Sequence, residues 1–297
     1  VSRRPFELPL ANGHVLRLGE RTLVMGILNV TPDSFADGGI HLDPQRAVAA
    51  GLSMVEAGAD IIDVGGESTR PGAAVVPAGE ERRRILPVIA ALARQARVPI
   101  SVDTYKAEVA GAALDAGASI VNDISGLRYE PDLARVVAER RAALVLMHTR
   151  GRSSEMYAQA GYGDVVREVA DELAASLDEA VHAGVDRASI VIDPGIGFAK
   201  RAPESLRLLA CLDHPALTAL DRPILAGPSR KSFLQAALGD CPPAGREWGT
   251  AASVTAAVLH GAHVVRVHGV REMVQVVRVA DAILAARTSA SEPPPDR

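Results

Sequence analysis

Residues 24–39 read VMGILNVTPDSFADGG. The first seven, VMGILNV, form an apolar run of strand type. The nine that follow cannot extend a sheet. Pro32 lacks a ladder donor, and Gly38 and Gly39 free the backbone. Asn29 stands at the junction. A buried strand is thus driven into a polar, acidic loop that ends in glycine.

The same unit recurs along the chain. Short apolar runs ending in polar residues are LVMGILN, ADIIDVG, VPISVDT, ASIVNDI, AALVLMH, ASIVIDP, RPILAGP and HVVRVHG. Amphipathic, alanine-rich stretches lie between them. In LDPQRAVAAGLSMVEAG, Asp43 reads as the N-cap and Pro44 as the first helical residue. KAEVAGAALDAG, PDLARVVAERR, GDVVREVADELAASLDEAVHAG and REMVQVVRVADAILAAR read as further helices. Gly58, Gly117 and Gly184 are placed to end three of them. Strands that are apolar on both faces imply a parallel sheet covered by helices. Eight such units in roughly 250 residues predict an α/β fold, a single (β/α)8 TIM barrel. The competing arrangement is a doubly wound open sheet, which needs a switch in strand order.

Ahead of the first strand, FELPLANGHVLRLG predicts a hairpin with a two-residue turn at Asn12-Gly13. The expected division is a hairpin over 1–22, a barrel over 23–287 and a disordered tail over 288–297. The 297 residues are 48% hydrophobic but only 3% aromatic, so the core must be aliphatic. A net charge of -4 argues against a nucleic-acid surface. Cys211 and Cys241 have neither metal nor redox spacing, which fits a reducing cytoplasm. VSRRPFELPL lacks the apolar stretch of a targeting signal, and GTAASVTAAVLHGAHVV reads as a buried helix entering a strand.

In a barrel of this kind the site lies at the C-terminal ends of the strands. There stand Asn29, Asp63, Asp103, Asn122, Asp123, His148, Asp193, Arg266 and His268. Alternation puts Arg266 and His268 on one face. Together they suit an anion; the alternative is Arg266 paired with a barrel carboxylate and His268 bonded to a loop. Asp103, Asn122 and Asp193 offer acceptors to a flat heterocycle rich in N–H groups, to a divalent cation, or to a structural network. In GPSRKSF, Lys231 opens the next helix, where an anion site or a Schiff base are the options; Ser229 and Ser232 cap or bind, and Arg230 reads as a capping residue. GGESTRPG, residues 65–72, is a second glycine-ended loop, whose Arg70 complements Asp33 and Asp37 of the first. Two such loops can close over a substrate. His260 and His263 are three apart but lack a third ligand, so a structural role is expected.

GILNVTPDSFADGG, GGESTRPG, SVDT, VNDISG, LMH, DPGIGFAK, SRKSF and RVH, in this order, closely resemble dihydropteroate synthase, from Leu23 to about Leu284. The resemblance implies a Mg²⁺-dependent enzyme of folate biosynthesis. It would join 6-hydroxymethyl-7,8-dihydropterin pyrophosphate to 4-aminobenzoate, releasing pyrophosphate. Asp103, Asn122, Asp193 and Lys231 would then hold the pterin, with Met147 and Gly227 shaping its slot. Asn29, Arg266 and His268 would bind the diphosphate, with Asn29 on the metal. Thr69, Arg70, Pro71, Phe198, Lys231 and Ser232 would form the aminobenzoate side. Asp33 and Phe35 would belong to the mobile first loop. Lys231, Asp103, Arg266, His268 and Asp33 are the residues expected to carry catalysis, and a homodimer is implied. Pro228 and Gly269 depart from the family pattern, which has a small non-proline residue and commonly an Asp at those places. The alternatives are a pterin-dependent methyltransferase, a Schiff-base aldolase on Lys231, and a non-catalytic pterin-binding paralogue.

Overall fold

The computed structural model describes residues 3–31, 36–37, 41–68, 73–152 and 157–289. Numbered from the first barrel strand, β1 is Leu23–Asn29, β2 Ile61–Gly65, β3 Ile100–Asp103 and β4 Ile120–Asp123. β5 is Ala143–Met147, β6 Ile190–Asp193, β7 Leu225–Ala226 and β8 Val264–Val267. All pairings among them are parallel, and each strand lies beside its successor. β8 returns to β1, and a parallel bridge between Ile192 and Ile224 joins β6 to the start of β7. The order contains no switch, so the sheet curls into a barrel and the open-sheet alternative is excluded.

Strand parity divides the apolar residues into two cores. Inside the barrel, Met25, Ile61, Ile120, Val145, Val191, Leu225 and Val264 pack with one another. Leu8, Leu10 and Leu18 of the N-terminal hairpin join this cluster. The hairpin, Phe6–Pro9 paired antiparallel with Val15–Leu18, thereby closes the N-terminal end of the barrel. Each buried leucine there stabilises by about 1.5–3 kcal/mol. Outward residues such as Val24, Leu28, Ile62, Val102, Leu144, Ile192 and Val265 belong to the core beneath the helices.

The main helices are α1 Pro44–Glu56, α2 Ala78–Gln95, α3 Ala107–Asp115 and α4 Asp132–Glu139, then α5 Val165–His182, α6 Ala202–Leu209, α7 Glu247–Leu259 and α8 Val270–Ser289. Asp43 caps α1 by accepting from the N–H groups of Gln45 and Arg46, with Pro44 in the first turn. Gly58, Gly117 and Gly184 follow α1, α3 and α5 at φ +103, +112 and +98, a conformation that L side chains avoid. Among the described residues no helix is long and apolar enough to cross a membrane.

Four expectations change. The hairpin loop spans Leu10–His14 rather than two residues. Asn12 accepts from the His14 N–H and Gly13 turns the chain at φ +78. The helix expected at Lys231 is a 3-10 turn, Ser232–Leu234, followed by only Gln235–Leu238, without a side-chain cap. An anion site at a long helix N-terminus is therefore absent there. Ala36–Asp37 and His41–Leu42 form a short antiparallel ribbon within the first loop. Finally, α8 runs to Ser289, so the expected tail boundary at 288 falls inside a helix; residues 290–297 lie outside the described residues.

Candidate active site

Parity also decides which strand-end polar groups share a cavity. Asp63, Asp103, Asn122, Asp193 and Arg266 have the same parity as the interior residues Ile61, Ile120, Val191 and Val264, so they face into the barrel mouth. Gly65 leaves room for this set: a Cβ there would lie 3.3 Å from the Asp103 Cβ. Asp123 and His148 stand one residue further on and point outward. Asp123 accepts from the Ser125 N–H and hydroxyl and from the Leu127 N–H, which shapes the β4 loop. The row of polar residues seen in sequence is thus two rows on opposite faces.

At the mouth the groups neutralise one another. Arg266 Nε donates to Asp63 at 2.6 Å, and its Nη2 donates to Asp103. Asn122 Nδ2 donates to the same Asp63 oxygen at 2.9 Å. Burial would lower the Arg266 pKa, but the two carboxylates hold it above its ordinary value. Burial pushes the Asp103 carboxyl up to about 7; Arg266 opposes this and Asp63 adds to it. Asp193 is likewise raised by burial against the pull of Lys231, and it accepts from the Gly195 N–H at 2.8 Å. The pairing of Arg266 with barrel carboxylates is therefore realised in this structure. His268 Nδ1 lies 3.0 Å from the Ser229 hydroxyl, which also accepts from the His268 N–H.

Lys231 closes the opposite side. Burial lowers its pKa to about 8, with Asp193 resisting. Its Nζ donates to the Ile196 carbonyl and lies 4.3 Å from the centre of the Phe198 ring, a cation–π contact. Gly197, at φ +79, makes this approach possible: a Cβ there would lie 2.7 Å from Lys231 Cδ. Gly227 leaves ordinary van der Waals space beside Lys231 and Arg266. Met147 packs with Tyr105 and Ile124, and Tyr129 and Phe198 line the edge of that cluster. Ser232 stands 3.2 Å from the Tyr157 hydroxyl. At Gly269 a Cβ would meet Glu247 Oε1 at 2.2 Å, so glycine suits the packing against the carboxylate that pairs with Arg230.

Behind the mouth lies Lys200, a fully buried lysine. Lys200 Nζ approaches the carbonyls of Gly195 and Phe198 at 3.1 and 2.9 Å, and that of His148 at 3.3 Å. It is also 2.8 Å from His148 Nδ1. His148 Nε2 is 3.1 Å from Glu172, an acceptor, so Nε2 carries the proton and Nδ1 accepts from Lys200. Burial, reinforced by Lys200, keeps this imidazole neutral, with a pKa near 4. Lys200 thus ties the β6 loop to the end of β5.

Asp33, Phe35, Thr69, Arg70 and Pro71 lie outside the described residues. The stem of the second loop is described. Glu67 accepts from Lys106 at 2.5 Å, from the Tyr105 hydroxyl at 3.1 Å and from the Val76 N–H at 2.9 Å. Asn29 ends β1 in register with Gly65. Among the described residues no group of three His, Cys, Asp or Glu side chains could hold a metal. His263 accepts from the Ile224 N–H and His260 meets Asp213, both structural roles as expected.

Asp63 is a functional residue without an expected role, and its parity with Ile61 is the signal in the sequence that places it at the mouth. The Tyr105–Ile124–Tyr129 patch and the Ile196 carbonyl left none, because loops bring them in.

A family profile described as "Pterin binding enzyme" matches residues 25–268. Relatives named dihydropteroate synthase are 48% identical in Synechocystis (94% of this chain, 96% of the relative) and 51% identical in Mycobacterium leprae (89% and 94%). Among solved structures, Xanthomonas albilineans dihydropteroate synthase with 4-aminobenzoic acid is 42% identical with a TM-score of 0.86, covering 98% of this chain and 100% of that one. The Burkholderia cenocepacia enzyme complexed with 7,8-dihydropteroate is 40% identical with a TM-score of 0.84, covering 96% and 99%.

Proposed function

The chain belongs to the dihydropteroate synthase family of pterin-binding enzymes, and from that premise we infer how its barrel mouth divides the work. The reaction joins 6-hydroxymethyl-7,8-dihydropterin pyrophosphate to 4-aminobenzoate, giving 7,8-dihydropteroate and pyrophosphate. The observation that carries this reading is the inward convergence of Asp103, Asn122, Asp193, Lys231 and Arg266 at one rim.

Asp103, Asn122 and Asp193 accept from the N–H edge of the pterin, while Lys231 donates to its electron-rich side; Met147 and Gly227 bound the slot. Arg266 faces the developing diphosphate charge, with His268, held by Ser229, and Asn29 beside it. Phe198, Ser232 and Lys231 take the aminobenzoate side together with Thr69, Arg70 and Pro71. Asp33 and Phe35, by family likeness, would act from the segment that follows β1. The C–O bond ionises and pyrophosphate leaves with the bonding pair; the arylamine nitrogen then bonds to the methylene cation and gives up one N–H proton to solvent or to the pyrophosphate. The protein stabilises the departing charge and excludes water.

Mg²⁺ would be held together with the diphosphate. Asn29 offers one oxygen, and Mg²⁺ ordinarily keeps several waters and takes substrate phosphates as ligands. When bound it would neutralise the diphosphate. The homodimer rests on family likeness, and the cytoplasm on two free cysteines, Cys211 and Cys241.

The test is product formation from both substrates, with and without Mg²⁺. Mg²⁺-dependent pyrophosphate release with dihydropteroate appearing in equal amount is expected. Pterin binding without turnover would instead indicate a non-catalytic paralogue.

A further inference from the structure

Asp63 has no exposed surface, and its partners at the mouth are Arg266 and Asn122. One of its oxygens accepts from both at once, Arg266 Nε at 2.6 Å and Asn122 Nδ2 at 2.9 Å. The other oxygen is buried, and among the described residues it has no hydrogen-bond partner. A carboxylate so placed is an acceptor only. It therefore settles a choice that Asn122 could not make alone. An asparagine amide can turn either its oxygen or its NH₂ toward a ligand, and the two ends have nearly the same shape. With the NH₂ committed to Asp63, the oxygen is the end left for the mouth. Asn122 then joins Asp103 and Asp193 as a third acceptor instead of interrupting them with a donor.

The second bond does the same for Arg266. Asp103 also accepts from this guanidinium, through Nη2. A ligand edge that engages Asp103 competes for that contact, whereas Asp63, which has no exposed surface, keeps hold of Nε. The guanidinium is thus anchored from behind whether or not Asp103 is occupied.

We propose that Asp63 is a positioning residue that sets the donor–acceptor pattern read at the mouth, by fixing the amide of Asn122 and the guanidinium of Arg266. This rests on the pterin reading given above. The consequence is selectivity: the mouth accepts a heterocycle edge that presents N–H groups and rejects one of the same shape that presents a carbonyl oxygen. A site built around buried acceptors discriminates strongly against such an analogue, because its own groups are left unpaired.

The experiment compares binding of 6-hydroxymethylpterin with 6-hydroxymethyllumazine, in which a carbonyl oxygen replaces the 2-amino group and N1 carries a proton. The full chain is titrated calorimetrically with each, as wild type and as Asp63→Asn. The wild type is expected to prefer the pterin by roughly 10²-fold or more. In Asp63→Asn the preference is expected to shrink by about tenfold, since Asn122 can now present either end. The KM for 4-aminobenzoate should stay within about twofold while kcat/KM for the pterin substrate falls. Asp63→Ala, which removes the acceptor without adding a donor, is read the same way should the first variant not fold. Loss of stability with an unchanged pterin-to-lumazine ratio would overturn the proposal and leave Asp63 a structural residue, as would failure of both variants to fold. A wild type that binds neither heterocycle would instead overturn the pterin reading itself.

Discussion

Lys200 is buried and Lys231 half-buried, and desolvation lowers the pKa of both, yet their surroundings differ in kind. Lys231 stands between Asp193 and the Phe198 ring at the mouth, with one carbonyl as its hydrogen-bond partner among the described residues. Lys200 is enclosed by three carbonyls and an imidazole nitrogen on the outward face of the strands. The ammonium group has three protons to donate. At Lys200 the protein supplies acceptors for all of them. At Lys231 the described residues supply only one, which leaves donors for a ligand. A buried lysine is therefore a functional candidate when its shell is unfinished, not simply when it is buried.

Removing each lysine should separate the two roles. Lys231→Met is expected to lower turnover by about 10²–10³-fold, as for loss of a preorganised donor, with little change in melting temperature. Stability should hold because desolvation of the ammonium and its attraction to Asp193 act in opposite directions. Turnover at the wild-type level would break the comparison at once.

Arg266→Ala is expected to damage both properties. Turnover should fall because the diphosphate loses its guanidinium. Stability should fall as well, because Asp63 and Asp103 are left buried and unpaired; breaking such a pair typically costs about 3–5 kcal/mol. Proton uptake by Asp103, already raised toward 7, reduces that loss as the pH is lowered. Denaturant melts at two pH values would reveal it, with the variant's deficit smaller at the more acidic one.

For Lys200→Met the order reverses. Leaving carbonyls unsatisfied should cost at least about 2 kcal/mol, or roughly 3 °C in melting temperature. The KM for 4-aminobenzoate should rise, since Phe198 rides on the loop that Lys200 ties down, while kcat changes by less than about tenfold. A large kcat loss at unchanged stability would move Lys200 into the same class as Lys231.

The smallest effect expected is on the pH profile. Asp103 serves the pterin as a carboxylate, which it becomes as the pH rises through about 7. Lys231 serves as an ammonium, which it ceases to be above about 8. In the free enzyme kcat/KM should therefore rise through the first value and fall beyond the second, giving a narrow optimum. Asp103→Asn should abolish the acid limb. A basic limb that persists in Lys231→Met would belong to another group.

How much of this was legible in advance depends on the distance over which each feature is fixed. The capping of α1 by Asp43 and the glycine stops at 58, 117 and 184 involve neighbours a few residues away, and the sequence displays them. The hairpin was visible but its turn was not, because the Asn12 side chain reshapes the loop locally. Asp63 went without a role because its partners, Arg266 and Asn122, are 203 and 59 residues distant. The outward turn of Asp123 and His148 followed from alternation alone, once the end of each strand was known.

By itself the sequence determined the repeating strand–helix unit, the apolar periodicity that closes it, and the chemical kinds of group at the strand ends. Those are properties of adjacent residues, and local sterics and burial enforce them. Only the tertiary structure decided which of those groups face one another. Curling eight strands into a ring joins residues far apart in the chain, and opposite charges drawn from water into that ring must find partners there. Hence Arg266 lies between Asp63 and Asp103, and Lys231 lies open beside Asp193 while Lys200 is sealed behind it.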